Sequence, residues 1–347
     1  MIQNEAQKQN RSLGEQERVR ALHVVVLIPA YNEEKTIGDV IRSIPRNCAK
    51  KVEILVVNDG SRDQTAAAAQ TAGADRVISH RTNKGLGITF RDGIDEALRM
   101  GAEIIVNIDA DGQFNPQDIP RLLQPILDHR ADMVTCSRFK DPRLTPQMPA
   151  IKIFGNKLFA QIINLFLNRH YSDTQCGFRA YSREAALNLV LFGRYTYTQE
   201  VFIDLVKKGF RIVEVPCTVR GEREGKSRVV KNVFSYGFKV SLIILRSMRD
   251  YEPLKFFGLG GITLLSIGSL SSIVLFLRWL LIQRIDPYLI VVYANIFLII
   301  IGVLLVILGL LADMLDRNRQ LQEEVLYRLK KERFEKDMQQ SHKDNEG

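Results

Sequence analysis

The sequence predicts an α/β domain built on a mostly parallel sheet, followed near the C-terminus by a hairpin of two membrane-spanning helices. Three observations predict it. From His23 onward, short β-branched runs alternate with helical stretches, and each run stops at a polar or glycine-containing turn, the signature of βαβ units. The runs are almost continuously apolar, as strands covered on both faces must be. The apolar surplus of a chain that is 46% hydrophobic lies after Pro253, where Phe256 to Leu277 and Pro287 to Leu311 contain no charged residue. Each of these stretches, roughly 22 and 25 residues, is long enough to cross the hydrocarbon of a bilayer.

In chain order, the first 20 residues are polar and contain no apolar run resembling a signal peptide, so the N-terminal part is expected to remain in the cytoplasm. The α/β domain is expected over residues 21–228, with strands at His23 to Ile28, Val52 to Val57, Arg76 to His80, Glu103 to Ile108 and Asp132 to Ser137. Residues 229–252 mix Val233, Phe234, Phe238, Leu242 and Ile243 with Lys231, Lys239, Arg246 and Arg249, which reads as an amphipathic helix in the membrane interface or packed on the core. The two spans fill 253–314. Residues 315–347 carry both charge signs, with Leu315, Leu321 and Val325 at helical spacing, and read as a solvated helix or short coiled coil without chemistry of its own. Arg246, Arg249 and Lys255 precede the first span and Arg317 and Arg319 follow the second, which places both ends in the cytoplasm; the connection carries Arg278 and Arg284 against Asp286.

The formal charge of +9 calls for an anionic partner. Nucleic acid is not expected, because no helix-turn-helix, zinc-finger or RNP-like pattern is present and the basic residues gather around the membrane end. Anionic lipid or a phosphate-bearing substrate fits better. Cys48, Cys136, Cys176 and Cys217 are widely spaced, without a C-x-x-C pair, and read as reduced thiols. The histidines show no metal-ligand spacing.

In an open parallel sheet ligands collect beyond the carboxyl ends of the strands. Those segments read Pro29-Ala-Tyr-Asn-Glu-Glu34, Asn58-Asp-Gly-Ser61, Arg81-Thr-Asn-Lys-Gly-Leu-Gly87 and Asp109-Ala-Asp-Gly-Gln113. Asp109 and Asp111 end a strand with one residue between them, and two hard oxygen ligands at the mouth of a sheet suit Mg²⁺ or Mn²⁺ bridging a diphosphate. Asp-Gly is also ordinary turn chemistry. Asp59 either accepts hydrogen bonds from a nucleobase or ribose, or caps the next helix.

Four ordered motifs, Pro29 to Glu34, Asn58 to Ser61, Asp109 to Gln113 and Gln175-Cys-Gly-Phe-Arg-Ala-Tyr181, together resemble the inverting, family 2 glycosyltransferases of GT-A (Rossmann-like) fold, and most of all those acting on polyprenyl phosphates, such as dolichyl-phosphate mannose and glucose synthases. The resemblance runs from about Val24 to Val230. It implies that Pro29, Ala30, Tyr31, Glu33, Asp59, Asp109 and Ala110 hold a UDP- or GDP-linked sugar, and that Asp109, Asp111 and Gln113 ligate the metal. It also implies that Arg138 lies near the transferring phosphate and that Arg223, Lys226 and Ser227 belong to a mobile loop closing over it. Lys152, Asn156, Arg179 and Ser227 would meet the acceptor phosphate. Many relatives carry lysine where Leu86 stands, and paired arginines where this chain offers Lys152 and Asn156. A homo-oligomer is compatible with the sequence.

Three other functions fit the sequence less well. A processive polysaccharide synthase needs a transmembrane channel and a Q-x-x-R-W motif, whereas Arg278-Trp279 follows Leu275 here. A noncatalytic scaffold would have no use for Asp109, Asp111 and Gln113. A transferase for a soluble acceptor or glycan, with an incidental anchor, is separated by whether lipid phosphate accepts the sugar.

Overall fold

The computed structural model describes residues 22–141, 143, 150–191, 197–219, 242, 245–246, 249–284 and 286–346. The chain divides into two compact units, one of Met1–Val240 with Leu326–Gly347 and the other of Ser241–Val325.

The first unit is a seven-stranded sheet with strand order β3-β2-β1-β4-β6-β5-β7. Its strands are β1 (His23–Ala30), β2 (Lys51–Asn58), β3 (Arg76–Ser79), β4 (Ile104–Asn107), β5 (Met133–Ser137), β6 (Arg179–Ser182) and β7 (Ile212–Pro216). Between them lie α1 (Ile37–Arg42), α2 (Thr65–Thr71), α3 (Leu86–Arg99), α4 (Ile119–Leu127), α5 (Ala150–Leu167), α6 (Arg183–Asn188) and α7 (Thr198–Lys207). The five expected strands are all present. β6 and β7 are additional, and β6 runs antiparallel to both β4 and β5 in an otherwise parallel sheet.

The period-2 alternation of strand side chains builds two cores. Val24, Val26, Ile28, Ile54 and Val56 pack with α1, α2 and α4 on one face. Val25, Leu27, Leu55 and Val57 pack with α3, α6 and α7 on the other. A fully buried side chain of this size contributes about 1.5–3 kcal/mol, so burial on both faces holds β1 and β2 firmly in the sheet. The strand order reverses between β1 and β4, and the crevice outside such a switch point is where an open α/β sheet takes its ligand.

The second unit holds α8 (Pro253–Ile282) and the first part of α9 (Leu289–Glu346). Both are long and apolar enough to cross a membrane. The helices approach closely through small residues: a Cβ on Gly261 would lie 2.8 Å from Gly302 O, and one on Gly302 2.9 Å from Gly261 O. Backbones that approach this closely exclude any larger residue, the usual solution where packing rather than water exclusion drives helix pairing. Asn295 Nδ2 donates to Ser271 Oγ at 3.0 Å across the pair.

The C-terminal part of α9 departs from expectation. It is helical, but from Leu326 it belongs to the α/β unit. Phe334, 2% exposed, completes the core under α3, α6 and α7. Lys330 Nζ donates to Leu189 O at 3.3 Å and lies 3.6 Å from Asp95 Oδ1. A solvated helix was expected because nearly half of its residues are charged; Phe334, in register with the core, ties that mostly exposed helix to the α/β unit. Most of the expected interfacial helix over 229–252 lies outside the described residues; Leu242, Leu245, Arg246, Arg249, Asp250 and Tyr251 are helical.

Candidate active site

Parallel pairing aligns the carboxyl ends of β1 and β2 residue for residue, Pro29 with Val57 and Ala30 with Asn58. The two loops that follow are laced together. Asn32 N donates to Ser61 Oγ at 2.9 Å, Glu33 N to Thr65 Oγ1 at 2.8 Å, and Arg62 N to Asn32 Oδ1 at 2.8 Å. Asp59 N donates to Ala30 O at 2.8 Å, binding the second loop to the end of β1. The result is a rigid double loop at the switch point carrying Tyr31 and Glu33.

Asp59 is buried and fully engaged. Its carboxylate accepts from Lys84 N and Gly85 N, both at 2.9 Å, and from His80 Nδ1 at 2.8 Å. Burial alone would raise its pKa, but the donors from His80, Lys84 and Gly85 outweigh burial and hold the carboxyl below its ordinary value. The helix-capping alternative fits in a modified form, since Asp59 fixes the turn that starts α3 rather than the helix that follows it in sequence. His80 Nε2 also lies 3.2 Å from Asp92 Oδ2, extending the network along α3.

Asp109, Ala110, Asp111 and Gln113 follow β4 on the other side of β1. Asp111 Oδ1 accepts from Gln113 N at 3.1 Å, which closes the turn, and Gly112 takes a positive φ of 70° within it. Asp109 and Asp111 are both half-buried, close enough to solvent to meet a ligand. Among the described residues no group of three or more His, Cys, Asp or Glu is placed to hold a metal ion. A pair of carboxylates still suits Mg²⁺ or Mn²⁺ of the kind that completes its shell with water and substrate phosphates. Phe114 forms an antiparallel bridge with Val219, the last described residue before the expected loop. Arg223, Lys226 and Ser227 themselves lie outside the described residues.

Two expected phosphate contacts change character. Arg179 is 0% exposed, with Nη1 donating to Thr198 O at 2.9 Å and Nη2 to Thr174 O at 3.0 Å. It sits in β6, opposite Asn107 of β4, and is a structural tie rather than an acceptor-phosphate ligand. Arg138 forms a two-pronged pair with Asp173, Nε to Oδ2 at 2.6 Å and Nη2 to Oδ1 at 2.9 Å. Burial opposes its charge, but Asp173 more than compensates and raises the arginine pKa. Asp173 N and Ser172 N in turn donate to Glu214 Oε1, both at 2.8 Å. Burial pushes the Glu214 carboxyl above its ordinary value despite these donors. Asn156 is half-buried on α5, and the side chain of Lys152 lies outside the described set.

The four cysteines are free thiols. Cys136, Cys176 and Cys217 are buried, and burial pushes the Cys136 thiol far up, which removes it as a nucleophile. Sequence reasoning missed Asn107, His80, Asp173, Glu214 and Tyr197. Asn107 alone left a signal, as a polar residue ending the apolar run Ile104-Ile-Val.

A mostly parallel sheet whose order reverses between β1 and β4, with an acidic turn following β4, has the GT-A architecture. The same fold appears in glucosyl-3-phosphoglycerate synthase from Mycobacterium tuberculosis, solved with Mn²⁺, UDP and glucosyl-3-phosphoglycerate; it is 23% identical, with a TM-score of 0.52 over 68% of this chain and 81% of that one. That likeness carries the fold alone. The model of glycosyl transferase family 2 matches residues 25–189. UDP-N-acetylglucosamine–dolichyl-phosphate N-acetylglucosaminyltransferase of Methanococcus voltae is 33% identical, covering 56% of this chain and 84% of that protein. Polyprenol monophosphomannose synthase of Mycolicibacterium smegmatis is 33% identical, covering 65% of this chain and 88% of that protein. The chain belongs to glycosyl transferase family 2, and it is a hexosyltransferase.

Proposed function

We propose that the protein transfers a sugar from a nucleotide-sugar donor to a polyprenyl phosphate, with inversion at the anomeric carbon and with a divalent cation. The observation that carries this reading is the Asp109–Asp111 turn at the sheet's switch point, in a chain whose C-terminal helices are apolar enough to enter a bilayer. The names of the M. voltae and M. smegmatis relatives support the acceptor class.

The double loop of Tyr31, Glu33 and the Asp59-held turn provides a rigid floor for the nucleoside, while Asp109, Asp111 and Gln113 face the diphosphate. Mg²⁺ or Mn²⁺ held by Asp109, Asp111 and Gln113 would supply charge neutralisation for the departing nucleoside diphosphate. A lipid phosphate is already anionic near neutral pH, so no side chain has to remove a proton from it. What the protein must do is place that oxygen in line behind the anomeric carbon and shield its charge. Arg223, Lys226 and Ser227 are assigned to this shielding, with Lys152 and Asn156 beside the acceptor. Arg138 acts through Asp173 to hold the 172–175 segment. The basic residues flanking the helices support a topology with the α/β unit and C-terminus in the cytoplasm.

The test is incubation of the purified full chain with Mn²⁺, a polyprenyl phosphate and a panel of UDP- and GDP-sugars. One donor is expected to give a lipid-extractable sugar phosphate of inverted configuration. Failure of every donor would refute the proposal.

A further inference from the structure

Behind the Asp109–Asp111 turn lies a buried polar cluster with no direct part in the transfer. Asn107 ends β4 with 0% exposure. A buried amide is costly unless paired, and its Nδ2 has two acceptors, Gly177 O at 2.8 Å and Tyr197 Oη at 2.8 Å. Tyr197 is itself immobilised, since its ring stacks on Phe90 with centroids 3.8 Å apart and planes 6° from parallel. Arg179 ties the neighbouring Thr198 to Thr174, so the backbone on both sides of the cluster is fixed.

These contacts converge on Asp109. A Cβ added to Gly177 would lie 3.0 Å from Asp109 Oδ2 and 3.3 Å from Oδ1. The carboxylate therefore rests on the bare Cα of Gly177, and its position depends on where that backbone is held.

We propose that Asn107 and Tyr197 are positioning residues for Asp109, fixing the Gly177 carbonyl so that Gly177 sets the orientation in which Asp109 meets the diphosphate and its cation. A site of this kind works only when its ligands are held to within about 0.5 Å, which residues behind the ligands enforce. This placement rests on the metal-dependent reading above.

The test uses the purified full chain with Mn²⁺ and UDP as probes, Mn²⁺ binding being followed by its paramagnetic resonance signal. Tyr197→Phe removes one hydroxyl and keeps the stacked ring. It is expected to weaken Mn²⁺ binding about tenfold and to lower kcat more than it raises donor KM, with a modest fall in Tm because one N–H of the buried Asn107 amide loses its acceptor. Gly177→Ala, which drives a methyl against Asp109, is expected to weaken Mn²⁺ binding by an independent route. Tyr181→Phe is the control, because that hydroxyl is buried in the same core beside Arg179 and is not bonded to Asn107, and it should leave Mn²⁺ binding unchanged. The proposal is overturned if Tyr197→Phe binds Mn²⁺ like the wild type, or if Tyr181→Phe weakens it equally. Absence of Mn²⁺ binding by the wild type with UDP would refute the metal reading, and the positioning role with it.

Discussion

The two units use the same apolar residue types in opposite ways. In the α/β unit Leu27, Leu55 and Phe90 are shut away completely, and polar side chains gather where the strands end. In the hairpin the apolar side chains point outward, with Leu281 85% exposed, while Asn295 is buried at 3% between the helices. Water suits the first arrangement. Surroundings as apolar as the side chains suit the second, where the helices pair through glycine and a shared amide instead of a hydrophobic core. The proposed chemistry is assigned to the first unit, at the strand ends that carry Asp59, Asp109 and Asp111.

The largest expected effect isolates that edge. Asp111→Ala should lower sugar transfer about a thousandfold with only a small fall in Tm, because the proposed ligand role is lost together with a single turn hydrogen bond from Gln113 N. A matching fall in Tm would make the turn structural. Next is Phe334, which tests whether the end of α9 is part of the α/β core. Phe334→Ala should cost about 3 kcal/mol in denaturant unfolding of the full chain, whereas Leu329→Ala, at an exposed position of the same helix, should change it by less than about 0.5 kcal/mol.

Asp59→Asn should destabilise the protein by about 2 kcal/mol near neutral pH, since a carboxylate bonded to two amides and an imidazole is replaced by a weaker acceptor. The pH dependence has a definite sign. The folded carboxyl titrates below its ordinary 3.8, so its contribution is complete above that value and is lost as the pH falls through the folded one. The gap in unfolding free energy between wild type and variant should therefore stay constant from pH 7 to about 4 and close below it. A gap that widened in acid would contradict the assignment. The smallest effect belongs to the hairpin: Asn295→Leu should cost about 0.6 kcal/mol, measured by reversible unfolding in detergent.

Much of the first unit was legible from its sequence. Strands buried on both faces write themselves as apolar runs, so β1 to β5 appeared within two residues of their observed ends. β6 did not, because Arg179-Ala-Tyr-Ser182 is short and its arginine reads as an acceptor-phosphate contact until Thr174 and Thr198 supply buried carbonyls. Asp109 and Asp111 were legible because turn acids at a strand end have a chemistry of their own. Tyr197 and Asp173 were not, since their importance comes from partners about 90 and 35 residues away, Asn107 and Arg138. Phe334 illustrates the same limit, as helical spacing gives the face of a residue but not what that face meets.

The most direct test of the account is a competition for one labelled donor between equimolar polyprenyl phosphate and 3-phosphoglycerate, with polyprenol lacking phosphate as a further control. The account predicts label in the lipid phosphate alone. Label in 3-phosphoglycerate, or in the phosphate-free polyprenol, would contradict it.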